Sequence, residues 1–192
     1  SGVTIQDGAA GDFGGGILNT NGTLTLIDVV VFNNTVTGAG GGIANGGGLT
    51  LIRSEISNNR AVEGGGKSES GAGGGIYNVG TLTIGDSTIH RNTAITGGGI
   101  YNDNGGAAAL TAGLIDDNSA GVDGGGLYNA GSLTLINSTL SENSVKTGFG
   151  GGLHNTGTAE ITNVTFSGNY APLGGGGGIY SDEGGTAVLW NT

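Results

Sequence analysis

The chain has 192 residues, of which 47 are glycine, one is proline and none is cysteine, and its formal net charge is −10. The lack of cysteine excludes disulfide bonds. Five basic residues against 15 acidic ones argue against nucleic acid as a partner, because phosphate binding needs clustered lysine and arginine. No run of 18 apolar residues occurs, so we expect no helix that inserts directly into a membrane.

The first element predicted in the chain is a short strand at Val3–Ile5, and a glycine cassette follows it. The cassette, three glycines followed by Ile or Leu, any residue and then Asn or Ser, occurs seven times, and its successive Ile or Leu positions are 26, 33, 24, 27, 26 and 26 residues apart. These positions are Ile17, Ile43, Ile76, Ile100, Leu127, Leu153 and Ile179. A period in the twenties is typical of a solenoid, in which each repeat buries its apolar face on its neighbours.

Two further signals follow the cassette in each repeat. The first is an apolar-x-apolar triplet, as in Leu24-Thr25-Leu26, and the second is an apolar residue three positions before an asparagine, as in Val31 and Asn34. The asparagine falls eight residues after the end of the triplet in six repeats. Each signal alternates with period two, which indicates a strand, and no segment has a helical period.

The sequence therefore predicts an all-β fold, a right-handed single-stranded parallel β-helix with about seven three-sided coils of roughly 26 residues. Residues 1–192 form one domain in this interpretation. The longest repeat contains a loop insertion at about 62–72, which is rich in glycine and serine.

Asparagines recur at two places in the coil, and we interpret them as structural ladders, because stacked amides can hydrogen-bond to one another and to turn backbone. The column after the cassette is Asn19, Asn45, Asn78, Asn102, Asn129 and Asn155, and it ends in Ser181. The column after the triplet is Asn34, Asn59, Asn92, Asn118, Asn143 and Asn169.

The two ends of the chain carry no recognisable cap. The chain starts within a strand signal and stops within the triplet strand that includes Trp190, and neither end offers a helix or a charged covering segment. A terminal coil without a cap exposes unpaired strand edges. We therefore expect either a longer chain or subunits that stack end to end.

The pairing of a GGGI-type element with IxxN or FxxN in each coil resembles the repeats of the chlamydial polymorphic outer-membrane proteins. It is also similar to a wider group of bacterial surface and secreted proteins with pectate-lyase-like β-helix repeats. Only 166–169 has the FxxN form, and a third glycine stands where the chlamydial element has alanine. The resemblance implies an extracellular or cell-surface module with a structural or adhesive role, whose partner would be a polysaccharide or a surface protein.

A carbohydrate-active enzyme, either a polysaccharide lyase or a hydrolase, is the main alternative, because β-helices also carry such activities. Glycoside hydrolysis needs two carboxyl groups, and Asp116-Asp117 is the best local pair. A lyase would need a basic residue such as Arg53 or Arg91. The repeats are nearly uniform in length, however, and offer no walls for a cleft. We expect no catalytic residues, no cofactor and no metal site, since His90 and His154 are 64 residues apart.

Two outward columns remain as candidate binding surfaces. Five successive coils carry a ring directly after the cassette, and we interpret this aromatic stripe as exposed and either stabilising or ligand-binding. Its members are Tyr77, Tyr101, Tyr128, His154 and Tyr180. The other column is rich in threonine and is interrupted by Ala109 and Glu160; its members are Thr25, Thr50, Thr83, Ala109, Thr134, Glu160 and Val188. Regular threonine arrays on flat solenoids resemble ice-binding surfaces, which makes ice a further alternative ligand.

Overall fold

A computed structural model describes residues 2–64 and 70–191. Within these ranges there are 27 strands and no helix, and every strand pairing is parallel. No helix in the described part is therefore long and apolar enough to cross a membrane. Each strand pairs with its counterpart one coil later, as Ile43 pairs with Ile76, so the chain forms a parallel β-solenoid of seven coils.

The first and second sheets hold the strands that lie on either side of the second asparagine column. The first sheet contains β1 (Val3–Gln6), β5 (Val29–Phe32), β9 (Glu55–Ser57), β13 (Thr88–His90), β17 (Leu114–Asp116), β21 (Thr139–Ser141) and β25 (Thr165–Ser167). The second sheet contains β2 (Ala9–Ala10), β6 (Thr35–Val36), β10 (Arg60–Ala61), β14 (Thr93–Ala94), β18 (Ser119–Ala120) and β22 (Ser144–Val145).

The third and fourth sheets hold the strands that lie on either side of the first asparagine column. The third sheet contains β3 (Ile17–Asn19), β7 (Ile43–Asn45), β11 (Ile76–Asn78), β15 (Ile100–Asn102), β19 (Leu127–Asn129), β23 (Leu153–Asn155) and β26 (Ile179–Ser181). The fourth sheet contains β4 (Thr23–Ile27), β8 (Gly48–Ile52), β12 (Thr81–Gly85), β16 (Ala107–Thr111), β20 (Ser132–Ile136), β24 (Thr158–Thr162) and β27 (Thr186–Trp190).

The coil has one strand more than the three that the sequence predicts. The two-residue strands of the second sheet follow the ladder asparagine directly, and their inward residue is Ala or Val, as in Val36 and Ala61. Two residues are too few to show alternation, so period-two analysis does not detect them. The predicted solenoid of seven coils is confirmed, with four strands in most coils.

The core is a continuous stack of aliphatic side chains from the first, third and fourth sheets. In the coil around Ile56, for example, Ile43, Leu49, Leu51 and Ile56 are all 0–1% exposed. Each pairs in register with an aliphatic residue of the next coil, so the stack continues through the middle of the solenoid. Full burial of one such side chain contributes about 1.5–3 kcal/mol.

Glycine is required at each of the three cassette positions for a different physical reason. Gly40 has a φ of +75°, a conformation that side chains other than glycine rarely adopt. A Cβ on Gly41 would lie 2.3 Å from the carbonyl oxygen of Gly74 in the next coil, and a Cβ on Gly42 would lie 3.0 Å from the amide carbon of Asn59. The cassette thus provides a left-handed corner, close stacking of coils and room for the asparagine ladder.

Both asparagine ladders form as the sequence predicts. In the first, each Nδ2 donates to Oδ1 of the next asparagine at 2.7–2.8 Å, and the last step, from Asn155 to Ser181 Oγ, is 3.3 Å. In the second, the equivalent distances from Asn34 to Asn169 are 2.9–3.0 Å. The ladders satisfy buried amides in every coil and fix the register of the stack.

The predicted loop at 62–72 falls partly outside the described residues, which omit 65–69. On its two sides the hydroxyl of Ser70 accepts from Gly64 N and donates to Gly64 O, at 2.5 and 2.7 Å. Gly71 N donates to Gly38 O, so the chain rejoins the stack directly after the insertion.

Candidate functional site

The aromatic stripe of the third sheet is a continuous column of touching rings. Tyr101 and Tyr128 are stacked, with ring centroids 4.8 Å apart and planes 11° apart. The steps from Tyr77 to Tyr101, Tyr128 to His154 and His154 to Tyr180 are 5.6, 4.9 and 5.0 Å. Rings recur at this position because the residue after the cassette Ile or Leu points away from the aliphatic core in every coil.

A second column stands opposite these rings and covers them. It consists of the residue before the first cassette glycine in each coil, namely Phe13, Ala39, Ala72, Thr96, Asp123, Phe149 and Gly175. Phe149 stacks on Tyr180 at 4.5 Å, and Phe13 lies 6.2 Å from Tyr77. Ala39, Ala72 and Tyr77 form a small apolar cluster, separate from the main core. We call the ring column and its covering column together the aromatic seam.

The expectation that the aromatic stripe is exposed is wrong for two of its members. Tyr77 and His154 are buried, at 5% and 4% exposure, whereas Tyr101, Tyr128 and Tyr180 are half-buried. The outward direction of the rings is as predicted. The burial comes from the covering column, which sequence alternation within one strand does not reveal. The stripe is therefore in part a second layer of packing.

The seam opens at Ala44, where the ring column ends. Ala44 lies between Leu18 and Tyr77 in the third sheet, and its small side chain leaves space beside the Tyr77 ring. The result is a groove of about 320 Å³, which we call the Ala44 groove. Its lining is mainly apolar and includes Phe13, Leu18 and Val79, of which Leu18 and Val79 are 54% and 40% exposed. Exposed apolar side chains around a concavity mark a ligand-binding surface.

His154 is the most enclosed polar group of the seam. Its ring lies between Tyr128 and Tyr180, with Phe149 at its edge, 6.3 Å away. Oδ1 of Asp123 lies 3.3 Å from Nδ1 and also accepts the backbone N–H of Phe149 at 2.8 Å. Neither ring nitrogen makes a hydrogen bond with any described residue. The His154 side chain therefore packs in the same way as the aromatic rings of the column, with the Asp123 carboxylate beside it.

A second groove, of about 420 Å³, lies on the first sheet, next to the corner that connects the fourth sheet to the first. At the corner, Arg53 donates twice to the carboxylate of Asp28, both times at 2.9 Å. On the sheet, the ring of His90 lies 3.0 Å from Oε1 of Glu55. This groove is polar and carries both signs of charge.

Hydrogen bonds and charges lower the pKa of two carboxyl groups in this groove. The hydroxyl of Ser57, which donates to Oε1 of Glu55 at 2.6 Å, together with His90, lowers the pKa of Glu55. Hydrogen bonds from Arg53 lower the pKa of Asp28, and Asp28 in turn raises the pKa of Arg53. Both carboxyl groups are thereby held in their ionised form.

Asp116 and Asp117, the carboxyl pair predicted from the sequence, interact with two different partners. Asp116 accepts a hydrogen bond of 2.6 Å from the Ser141 hydroxyl, whereas Asp117 is exposed and lies 3.2 Å from Nε of Arg91. Arg53 and Arg91 are both exposed in ion pairs. In 2–64 and 70–191, no three His, Cys, Asp or Glu side chains come together as metal ligands.

Comparison with known families gives one match. Residues 163–182 match the model of the Chlamydia polymorphic membrane protein repeat. The matched segment contains the FxxN element Phe166–Asn169 and the last glycine cassette, which are the features that the sequence analysis singled out. The chain is a β-helix repeat protein that resembles the chlamydial polymorphic membrane protein repeats. Neither the curated proteins nor the solved structures give a match.

Sequence reasoning missed several residues that shape these surfaces. Phe13 and Phe149 belong to no recurring apolar signal, because the covering column also contains Ala, Thr, Asp and Gly. Their position directly before a glycine cassette is the one signal that could have identified them. The pair of Glu55 and His90 was also missed, since the two residues lie 35 positions apart and meet only through the register of the coils.

Proposed function

We propose that this chain is an extracellular, cell-surface β-helix module with a structural and adhesive role rather than an enzyme. The match to the polymorphic membrane protein repeat and the solenoid fold both fit a surface-type β-helix module. We propose further that the adhesive contact is a neutral saccharide bound in the Ala44 groove. The observation that carries this proposal is the groove that opens at Ala44, where the ring column ends beside Tyr77.

The shape of the Ala44 groove suits one or two sugar rings. Its volume, about 320 Å³, lies at the lower end of small-molecule sites, which occupy about 300–1,000 Å³. The apolar faces of a pyranose can pack against Phe13, Leu18 and Val79, while Thr20 and the backbone at Gly46 bring polar atoms to the rim. An apolar lining with a few polar groups is the usual composition of such a site.

The charge of the chain selects among saccharides. The net charge of −10 disfavours uronic acid polymers and sulfated glycans, because their charges are of the same sign. The groove lining contains no Lys or Arg that would offset this repulsion. A neutral hexose or N-acetylhexosamine polymer is therefore the expected ligand class.

The test is binding of the 192-residue chain to immobilised neutral, uronic and sulfated glycans, followed by calorimetry with the best oligosaccharide. Ala44→Tyr extends the ring column by one coil beyond Tyr77 and fills the groove. We expect it to lower affinity at least tenfold. Thr165→Tyr, which adds the same ring at an exposed position of the first sheet, is the matched control and should bind normally.

Two results would contradict the saccharide proposal. One is an absence of binding to any neutral glycan at millimolar concentration. The other is binding that Ala44→Tyr leaves unchanged, since the contact would then lie elsewhere on the surface. The folded state of each variant is checked by circular dichroism and thermal unfolding.

A second candidate function, a carbohydrate-active enzyme, is favoured by the groove on the first sheet. There, ionised Glu55, the His90 ring and the Arg53–Asp28 pair border one concavity. Incubation with a polysaccharide panel, assayed for new reducing ends and for unsaturated products, tests this alternative. Activity that His90→Phe and Glu55→Gln both abolish would replace the non-enzymatic proposal.

A further inference from the structure

The outer face of the fourth sheet is almost free of charge, although the chain as a whole is strongly acidic. Three residues in each of its seven strands point outward, which gives 21 positions. Glu160 is the only ionisable residue among them. The others are mostly Thr, Ser, Ala and Gly in the first two positions of each strand, with Ile27, Ile52 and Ile136 in the third.

This face also carries exposed apolar side chains. Ile27 is 49% exposed, Val188 38% and Trp190 61%, and no described strand or loop covers them. The corners on either side are charged, with Asp28 and Arg53 along one edge. An uncharged centre with a charged rim is the composition of a protein interface.

From this face we infer that the chain forms a face-to-face dimer, in which the fourth sheet of one copy packs on the fourth sheet of a second copy. A chain of net charge −10 repels its own copies, and the repulsion is smallest where two uncharged faces meet. Small and β-branched side chains on both sheets allow the close packing that sheet-on-sheet contacts require.

The area of the face sets the expected strength of the dimer. Seven strands at about 4.8 Å spacing and five residues at about 3.3 Å give a face of about 500 Å². Two copies would together bury about 1,000 Å², which is the lower limit for a specific interface. The association is therefore weak, and it strengthens as salt screens the repulsion between the two copies.

The position of Glu160 selects one of the two symmetric arrangements. If the two stacks run in the same direction, Glu160 in the sixth strand of the sheet faces Glu160 of the second copy, and two like charges meet in the interface. If the stacks run in opposite directions, Glu160 faces Thr50 in the second strand. The dimer is therefore antiparallel. Ala109, at the centre of the face, would lie on the two-fold axis in both arrangements.

Sedimentation equilibrium over a range of protein and salt concentrations tests the dimer. Thr83→Glu introduces a charge at the middle of the face, and we expect it to weaken association at least tenfold. Thr165→Glu on the first sheet gives the same net charge and should leave association unchanged. Glu160→Thr should strengthen association severalfold. Equal effects of Thr83→Glu and Thr165→Glu would overturn the proposal and favour contact through the end coils.

Crosslinking tests the arrangement, since the chain has no cysteine of its own. With a short bis-maleimide, Ala109→Cys should give a covalent dimer, and a mixture of Thr50→Cys with Glu160→Cys should crosslink between the two variants. Glu160→Cys alone should give no covalent dimer, because in the antiparallel arrangement the two introduced cysteines lie far apart. A strict monomer at millimolar concentration would overturn the inference, as would a monomer that shows thermal hysteresis, because ice would then be the occupant of this face.

Discussion

Asn118 is joined to Asn143 by two hydrogen bonds that share one acceptor. The side-chain Nδ2 and the backbone N of Asn118 donate to Oδ1 of Asn143, at 2.9 and 3.0 Å. Nδ2 of Asn118 also donates to the carbonyl of Ile89, in the coil before. One buried amide therefore ties three successive coils together, and the same arrangement repeats along the second ladder.

Replacing a ladder asparagine should destabilise the stack. Asn118→Leu removes the acceptor of both Asn92 donors, the side-chain donor to the Ile89 carbonyl and one of the two donors to Asn143 Oδ1. We expect a loss of about 1–3 kcal/mol in the free energy of unfolding. Urea unfolding followed by circular dichroism measures it. Asn104→Leu, at an exposed turn position, is the control and should change stability by less than about 0.5 kcal/mol. Equal stability of both variants would contradict the ladder.

Substitution by alanine should distinguish the glycines that the fold requires from those that it does not require. Gly41→Ala brings a Cβ to 2.3 Å from the Gly74 carbonyl, so the coils must move apart, at a cost of about 1–3 kcal/mol or more. A Cβ on Gly85 meets no atom within 4 Å, and Gly85→Ala should be neutral or slightly stabilising. Thermal unfolding of the two variants measures the contrast. A destabilised Gly85→Ala would show that the outer face of the fourth sheet is less open than described.

The stacked pair Tyr101 and Tyr128 should be energetically coupled. Their ring centroids lie 4.8 Å apart in neighbouring coils, and such pairs contribute about 0.5–1.5 kcal/mol beyond the area that they bury. A double-mutant cycle with Tyr101→Leu and Tyr128→Leu measures this coupling. Additive effects of the two substitutions would mean that the seam is held by burial alone. The Phe variants, which keep the rings, should retain the coupling.

The lowered pKa of Glu55 predicts the direction of a pH dependence. A carboxyl whose pKa is lower in the folded than in the unfolded chain contributes stability above its unfolded pKa, and the contribution is lost as pH falls through the folded value. Glu55→Gln should therefore destabilise the protein at pH 7, and the difference from the wild type should shrink as the pH falls below the unfolded value of about 4.3 and through the folded value. Unfolding in urea at several pH values measures it, with Glu183→Gln, at an exposed turn position, as the control.

A difference that persists at acid pH would mean that Glu55 acts by packing rather than by charge. The effect at pH 7 should be small, because the Glu55 side chain is 44% exposed and water screens its interactions.

The repeats made the backbone of this protein predictable. Leu49 and Ile56 are seven residues apart, as are their counterparts in the next coil, and a side chain that points inward in one coil must do so in the next. The same repetition predicts that Asn92 and Asn118 lie in one column, and their side chains are in contact, with Nδ2 of Asn92 3.0 Å from Oδ1 of Asn118. Comparison of the repeats therefore shows which side chains point inward, which the sequence of a single strand does not.

The surface was predicted less well, because its chemistry depends on contacts between columns. Tyr77 was expected to be exposed but is covered by Phe13 and Ala39, which lie on a turn without a recurring residue type. Ser54 and Ser87 form a third set of contacts between coils, with a bond of 3.0 Å from Ser54 N to Ser87 Oγ. Serine occurs at that corner in only three coils, and the pattern was too sparse to detect.

The constant register of the ladders has a consequence for how such a protein changes in length. Removal of residues 92–117 would join Arg91 to Asn118 and leave every inward column, both ladders and the cassette in phase. Gain or loss of a whole coil is therefore neutral for the architecture, whereas gain or loss of a few residues is tolerated only at a turn. A gene that encodes this fold can shorten or lengthen the rod in steps of one coil, and carry the Ala44 groove unchanged while it does so.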